Sequence, residues 1–264
     1  MPFLRFRSLL AALVLCGVMT PALGAKAHSD REDTSADVEA PVAPLSSAID
    51  ENTIFAQMLS HNAVRNAALL GYTELRTYQV TDTTGKVRAQ ESGQMEYRAP
   101  DRKTFVTTYE SGSGVVRRLA LNPLIASEIE AAAGKQHHDS AITPANYNFE
   151  LLGEQQVGPY QCFVVRAMPK RADKYLFEGK VWIDTRDFAV VRIAGHPAKK
   201  LSFWVERADF VRNYQKIDGF WLPQKDETFV QVKFYGKKVL IIDHENYTLA
   251  GARNTEEPNQ DAAN

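Results

Sequence analysis

Cysteine is nearly missing from this chain: its 264 residues hold only Cys16 and Cys162. If Cys16 leaves with an N-terminal leader, Cys162 has no intramolecular partner even in an oxidising compartment. No disulfide can then staple the fold, which has to stand on its own core, and roughly 200 residues are enough for that in one domain. Long apolar runs are missing too. Beyond the N-terminus no stretch approaches the ~18 apolar residues of a spanning helix. Charge of one sign is also missing: 31 basic residues face 32 acidic ones. A near-neutral, slightly acidic chain argues against nucleic acid as a partner.

Motifs of catalysis are absent as well. No glycine-rich phosphate loop precedes a lysine, and no carboxylate pair has a distinctive context. The run Ser111-Gly112-Ser113-Gly114 has serine where a nucleophile elbow requires glycine, and reads as a hairpin turn. His137-His138-Asp139 has no third ligand at a recognisable spacing and reads as a solvated loop. Asp243-His244-Glu245 alternates along a strand and reads as its surface end. The chain is expected to be no enzyme and to carry no cofactor or metal.

What is present begins with export. Residues 1–24 combine Arg5 and Arg7, an apolar run over 9–19, and a small-residue exit near Gly24-Ala25, the pattern of a secretory signal peptide. Arg5 and Arg7 are not adjacent, which disfavours a twin-arginine signal. Cys16 follows Leu15, where a lipidated cysteine needs a small neighbour, so tethering is the lesser alternative. The expected location is periplasmic, soluble after signal-peptide cleavage. Residues 25–48 are polar, acidic and proline-bearing and read as a disordered leader, and 251–264 as a disordered tail. Between them, 49–250 shows no repeat and no second boundary.

Residues 49–70 read as a helix capped by Asp50 or Asn52, with Phe55, Leu59, Asn62, Asn66 and Leu70 along one stripe and Met58 and Leu69 beside it. Strands are expected over 72–82, 86–97, 103–110, 115–122, 148–157, 160–168, 180–184, 188–194, 201–214, 220–235 and 238–248. Short turns such as Thr84-Gly85, Gly158-Pro159 and Asp218-Gly219 separate many of them, so neighbours are antiparallel. One interruption is long. Pro123 and Gly134 bracket a short helix whose Leu124, Ile125 and Ile129 form an apolar patch, placed like a lid. Cys162 sits in an apolar strand and reads as a buried, inert thiol. The stretch 160–240 is basic and 25–75 acidic; a solvated strand face explains the basic excess most simply, and attraction to anionic headgroups or an acidic partner is the lesser reading.

The densest stretch is 175–223. All three tryptophans, Trp182, Trp204 and Trp221, fall inside it. Its strand Lys180-Val181-Trp182-Ile183-Asp184, a three-residue turn, Val190-Val191-Arg192-Ile193 and then Asp218-Gly219-Phe220-Trp221-Leu222-Pro223 resemble the outer-membrane lipoprotein-sorting superfamily of LolA/LolB-type carriers and RseB-type sensors. The resemblance spans roughly 48–249 and is one of pattern and element order.

The resemblance implies a mainly β fold with α: a half-open antiparallel β-barrel of about 11 strands wrapped around the N-terminal helix, with the lid-like helix added. It also implies a hydrophobic cavity, for which Phe55, Leu59, Phe105, Trp182, Phe203, Leu222, Val230 and Val232 are the candidate lining residues, with Leu124, Ile125 and Ile129 as lid. The expected ligand is a lipid or the acyl chains of a lipoprotein, held in a carrier or chaperone role. Envelope membrane surfaces or lipoprotein-handling proteins are the further partners. Two rivals stand beside this: a sensor module that uses the cavity to gate a protein partner, and an esterase of envelope lipids, which should show an activated serine.

Overall fold

The computed structural model describes residues 41–44, 49–132, 141–173 and 175–250. The expected signal peptide, the leader up to residue 40, the tail 251–264 and His137-His138-Asp139 lie outside the described residues.

Ten antiparallel strands form a single open sheet, in the order β3-β2-β1-β10-β9-β8-β7-β6-β5-β4. The strands are β1 (Gly71–Asp82), β2 (Val87–Arg98), β3 (Arg102–Gly112), β4 (Tyr147–Val157), β5 (Tyr160–Pro169), β6 (Phe177–Asp184), β7 (Val190–Pro197), β8 (Val205–Ile217), β9 (Phe220–Val232) and β10 (Gly236–Ala250). Each half is a meander joined by tight turns. The two halves meet where β1 pairs with β10, from Gly71 opposite Ala250 to Asp82 opposite Lys238. No pairing joins β3 to β4, so the barrel stays open.

The eleventh expected strand is a helix. Residues 114–132 run from a single turn, Gly114–Val116, through a widened π segment, Arg117–Leu121, into the helix α2, Asn122–Ala132. Ser113 starts it, accepting a hydrogen bond from the Val116 amide at 3.4 Å, so the Ser-Gly-Ser-Gly run is a strand end and helix cap, not a hairpin turn. The widening has a cause in sequence. Pro123 has no N–H to give, and the preceding Asn122 amide reaches back to the Arg117 carbonyl, one residue further than in an α-helix. Val115, Val116, Leu119 and Leu121 look like strand residues because β-branched and aliphatic side chains alone do not separate a strand from a buried helix.

The N-terminal helix α1, Glu51–Ala68, is capped by Asp50, whose side chain accepts from the Thr53 amide at 2.9 Å. It buries Ile54, Phe55 and Met58 against Phe163, Val181, Ile183, Ile193 and Phe210 of the β4–β9 half. Its far end is clamped by the turn after β6. There Asp184 accepts from the Arg186 and Asp187 amides, and the Asp187 carbonyl accepts from Arg65 at 2.9 Å. The aspartate that closes the Val-Trp-Ile-Asp strand thus folds the turn that holds α1.

The other half of the sheet is covered by α2. Leu121, Leu124 and Ile125 are buried against Tyr78, Ala89, Leu240 and Ile242, with Ile129 and Phe105 half-buried beside them. Cys162 is fully buried, as expected of an inert thiol, and burial, with Asp184 nearby, pushes it up to about 12. Within the segment expected to be disordered, Ala43 pairs with the edge strand β4: its amide donates to the Glu154 carbonyl at 2.7 Å and its carbonyl accepts from the Glu154 amide at 2.8 Å. Gly153, at φ +141°, makes room for this approach, since a Cβ there would lie 2.2 Å from the Ala43 oxygen.

Candidate functional site

Two helices on one concave face leave two cavities, and their linings differ in kind. The first, about 480 Å³, lies between the start of the 114–132 helix and strands β1, β9 and β10. Val80, Val116, Leu119, Val230, Val232 and Leu240 make its walls, Tyr235 stands beside them, and Lys86, Arg88 and Lys238 form a basic rim. Alternation puts Val80 and Leu240 there: each continues the inward face of Tyr78 and Ile242 by one step along its strand. Of the two hydroxyl residues among the lining, Ser113 and Tyr235, Ser113 serves the helix cap.

The second cavity, about 170 Å³, opens between α1 and α2. Met58, Leu59, Leu69, Tyr72 and Leu222 give it apolar walls, and Arg76, Glu128, Arg212, Asp226 and His244 line it as a charged floor. This floor is a row of side chains carried inward by four adjacent strands. Arg212 on β8 holds Asp226 on β9 with two bonds, at 2.6 and 2.8 Å. His244 on β10 places Nε2 3.8 Å from Asp226 and Nδ1 2.9 Å from Glu74 on β1. Arg76, two residues along the same face, bonds both Glu74 and Glu128 of α2, and Tyr78 donates to Glu128 at 3.0 Å.

The six charged groups of the row, Glu74, Arg76, Glu128, Arg212, Asp226 and His244, are all buried. Isolated buried charges are costly, so such a row persists only if the charges balance and the hydrogen bonds are made. Arg76 and Arg212 supply two positive charges, against Glu74, Glu128 and Asp226. Neutrality therefore falls to His244. Burial and the Arg76 charge pull its imidazole down, but Glu74 and Asp226 outweigh them and the net direction is upward. Burial likewise opposes ionisation of Glu74, yet Arg76 and His244 hold its carboxyl at about 2.

The residues expected to line a cavity are dispersed. Val230 and Val232 line the apolar cavity, and Leu59 and Leu222 the charged-floor cavity. Phe55 is core, stacked on Phe149 with ring centroids 3.7 Å apart. Phe105 sets its edge to Tyr78 at 5.6 Å, beneath α2. Trp182 is buried on the face opposite Val181 and Ile183, donating to Gln155 at 2.6 Å and stacking under Arg192. Phe203 is 74% exposed. The strand expected from residue 201 begins only at Val205, so Phe203 sits in a loop where the inward-outward alternation does not run. Of the lid residues, Leu124 and Ile125 are buried and Ile129 is half-buried, all within the α2 core.

His244 is the clearest correction. It was expected at a surface strand end and is 4% exposed. The sequence did carry one sign of the row: Glu74, Arg76, Tyr78 and Val80 share one face of β1, so charge and apolar residues alternate with the wrong partners for a solvated face. Among the described residues, no group of three or more His, Cys, Asp or Glu is placed to hold a metal. No helix among them is long and apolar enough to cross a membrane.

No protein-family model and no curated protein matches the chain. Solved structures do. A DUF1329 family protein from Desulfovibrio piger matches at TM-score 0.38 and 14% identity, over 75% of this chain and 92% of that one. An outer membrane lipoprotein-sorting protein domain from Vibrio parahaemolyticus matches at TM-score 0.40 and 12% identity, over 77% and 94%. A LolA superfamily protein from Nitrosomonas europaea matches at 0.34 and 9%, over 77% and 95%. The structural matches also include MucB in complex with the periplasmic part of MucA, at TM-score 0.26 and 9% identity, over 74% of this chain and 93% of that one. These are distant likenesses of chain path.

Proposed function

We propose that this is an exported envelope protein that binds lipid, or the acyl chains of a lipoprotein, in a carrier or chaperone role. One observation carries the reading: the cavity of about 480 Å³ walled by Val80, Val116, Leu119, Val230, Val232 and Leu240. That volume falls within the ~300–1,000 Å³ of small-molecule sites, which are mostly apolar with few polar groups. A cavity walled by aliphatic side chains offers an occupant dispersion contacts and release from water, and no directional bonds, which suits a flexible hydrocarbon chain. The basic rim of Lys86, Arg88 and Lys238 suits a negatively charged head left at the opening. The signal-like N-terminus supports the location.

The test is mass spectrometry of organic extracts from protein purified natively from the envelope. Recovery of stoichiometric acyl lipid from the wild type, and its loss from a variant whose cavity is filled, is the expected result. Extracts free of lipid, together with no binding of an apolar dye, would overturn the reading.

A further inference from the structure

Two loops at one end of the sheet carry the largest exposed aromatic surface of the described residues. Phe234 is 91% exposed and Phe203 74%. They are not scattered. Trp204 lies edge-on to both, with ring centroids 5.5 Å from Phe203 and 6.3 Å from Phe234. The Lys233 amide donates to the Trp204 carbonyl at 2.9 Å, tying the loop before β8 to the β9–β10 turn. Lys233 also places its ammonium 3.6 Å from the Phe203 ring centre.

The backbone is committed to this display. Phe234 has φ +65°, a left-handed conformation that a bulky side chain rarely adopts, and the turn has Gly236 close by. A polar or glycine residue would sit there at less cost, so the aromatic is held outward against its own preference.

The two loops that carry the rings are basic. Residues 198–209 and 232–238 carry Lys199, Lys200, Arg207, Lys233, Lys237 and Lys238 against Glu206 and Asp209, and Asp209 is paired with Arg207, which leaves the five lysines against Glu206. Aromatic side chains presented by two hydrogen-bonded loops that also carry lysines match the boundary between hydrocarbon and anionic headgroups. There the rings leave water while the ammonium groups stay with phosphate. The tip is also continuous with the apolar cavity, because Tyr235 and Lys238 of the same turn belong to its lining and rim.

We infer that the Phe203–Trp204–Phe234 tip is a docking surface for an anionic lipid bilayer, and that it sets the mouth of the apolar cavity against the membrane. The inference goes beyond the acyl-binding reading and does not depend on it. A protein that docks without carrying lipid satisfies it, as does one that does both.

The test is sedimentation of the full mature chain with vesicles of phosphatidylglycerol and phosphatidylethanolamine, and with neutral phosphatidylcholine vesicles. Binding to the anionic vesicles that weakens with salt, with little to the neutral ones, is expected. Lys233→Glu with Lys237→Glu should reduce it by roughly tenfold or more. Phe203→Ser with Phe234→Ser should reduce it comparably without lowering the melting temperature or apolar-dye binding, since both rings face solvent. In a second measurement, brominated phosphatidylglycerol should quench tryptophan fluorescence in the wild type and not in Trp204→Phe. Equal binding to neutral vesicles, wild-type binding by either double variant, or quenching that survives Trp204→Phe would overturn the proposal. So would self-association through these residues in place of vesicle binding.

Discussion

His244 places Nδ1 2.9 Å from Glu74 Oε2 across the β1–β10 seam, with both side chains buried. The pair joins the two meanders of the sheet, and its protonation makes stability depend on pH from both sides.

The His244 imidazole is raised above its ordinary 6.5, so its contribution is fully present below that value and is lost as pH climbs through the folded one. Glu74 is depressed from 4.5 to about 2, so its contribution is present above 4.5 and is lost as pH falls toward 2. Urea midpoints should therefore be highest between those two ordinary values and decline on either side. His244→Gln should remove the alkaline decline and lower the plateau. An alkaline edge that survives this substitution would assign it to another group.

Arg76 and Glu128 are the polar link between α2 and the sheet. Removing one partner leaves the other buried and uncompensated, at a cost of about 3–5 kcal/mol. Glu128→Gln should fall at the low end, because Tyr78 and Arg76 can still donate to an amide oxygen. Arg76→Met should cost more, since it strands two carboxylates. The double variant Arg76→Met with Glu128→Gln should be less destabilised than the two costs added, because each change removes a charge that the other strands. Additive losses in chemical denaturation would show that the pair is not coupled.

Trp182 packs on the far side of the sheet from both cavities, with Cys162, Val164 and Val191. Trp182→Ala should destabilise by about 3–5 kcal/mol and leave apolar-dye binding unchanged in the folded fraction. Lost dye affinity without lost stability would place this residue in the binding site.

Ala120 faces the apolar cavity from the 114–132 helix. Ala120→Phe puts a ring where a ligand would lie. With about 480 Å³ available, it should cost less than the ~1–3 kcal/mol of an overpacked core. Dye or fatty-acid affinity should fall by about tenfold, as lost apolar contacts of 1–2 kcal/mol require. Unchanged affinity, measured by fluorescence titration, would move the ligand elsewhere.

Docking of α2 bears on the gating idea raised by its Leu124 and Ile125. Both are buried, and Glu128 is tied to Arg76, so α2 is core of the β1–β3 and β10 half as much as cover for a cavity. The π segment before it is anchored by buried Leu121 and by Arg117, which donates to the Ser111 carbonyl at 2.8 Å, and it presents Leu119 and Ala120 to the apolar cavity.

The sequence by itself determined the strand-rich, antiparallel character of the chain, because alternation and tight turns are local and recur at almost every element. The α1 helix and its Asp50 cap were legible for the same reason, as was the buried state of Cys162. What only the tertiary structure decided depends on partners far apart in the chain. His244 finds Glu74 across 170 positions, and no local pattern tells a paired buried histidine from a solvated one. Residues 115–122 are apolar enough for a strand, and they became helix because Ser113 caps them and β1, β2 and β10 offer a face to cover. Phe203 and Val232 are both apolar residues of the same half of the chain. One lines a cavity and the other meets solvent, because β8 starts at Val205 and leaves Phe203 in the loop outside the sheet. Hydrophobicity sets how much surface must leave water, and the packing of the two helices on the open sheet sets which residues remain uncovered.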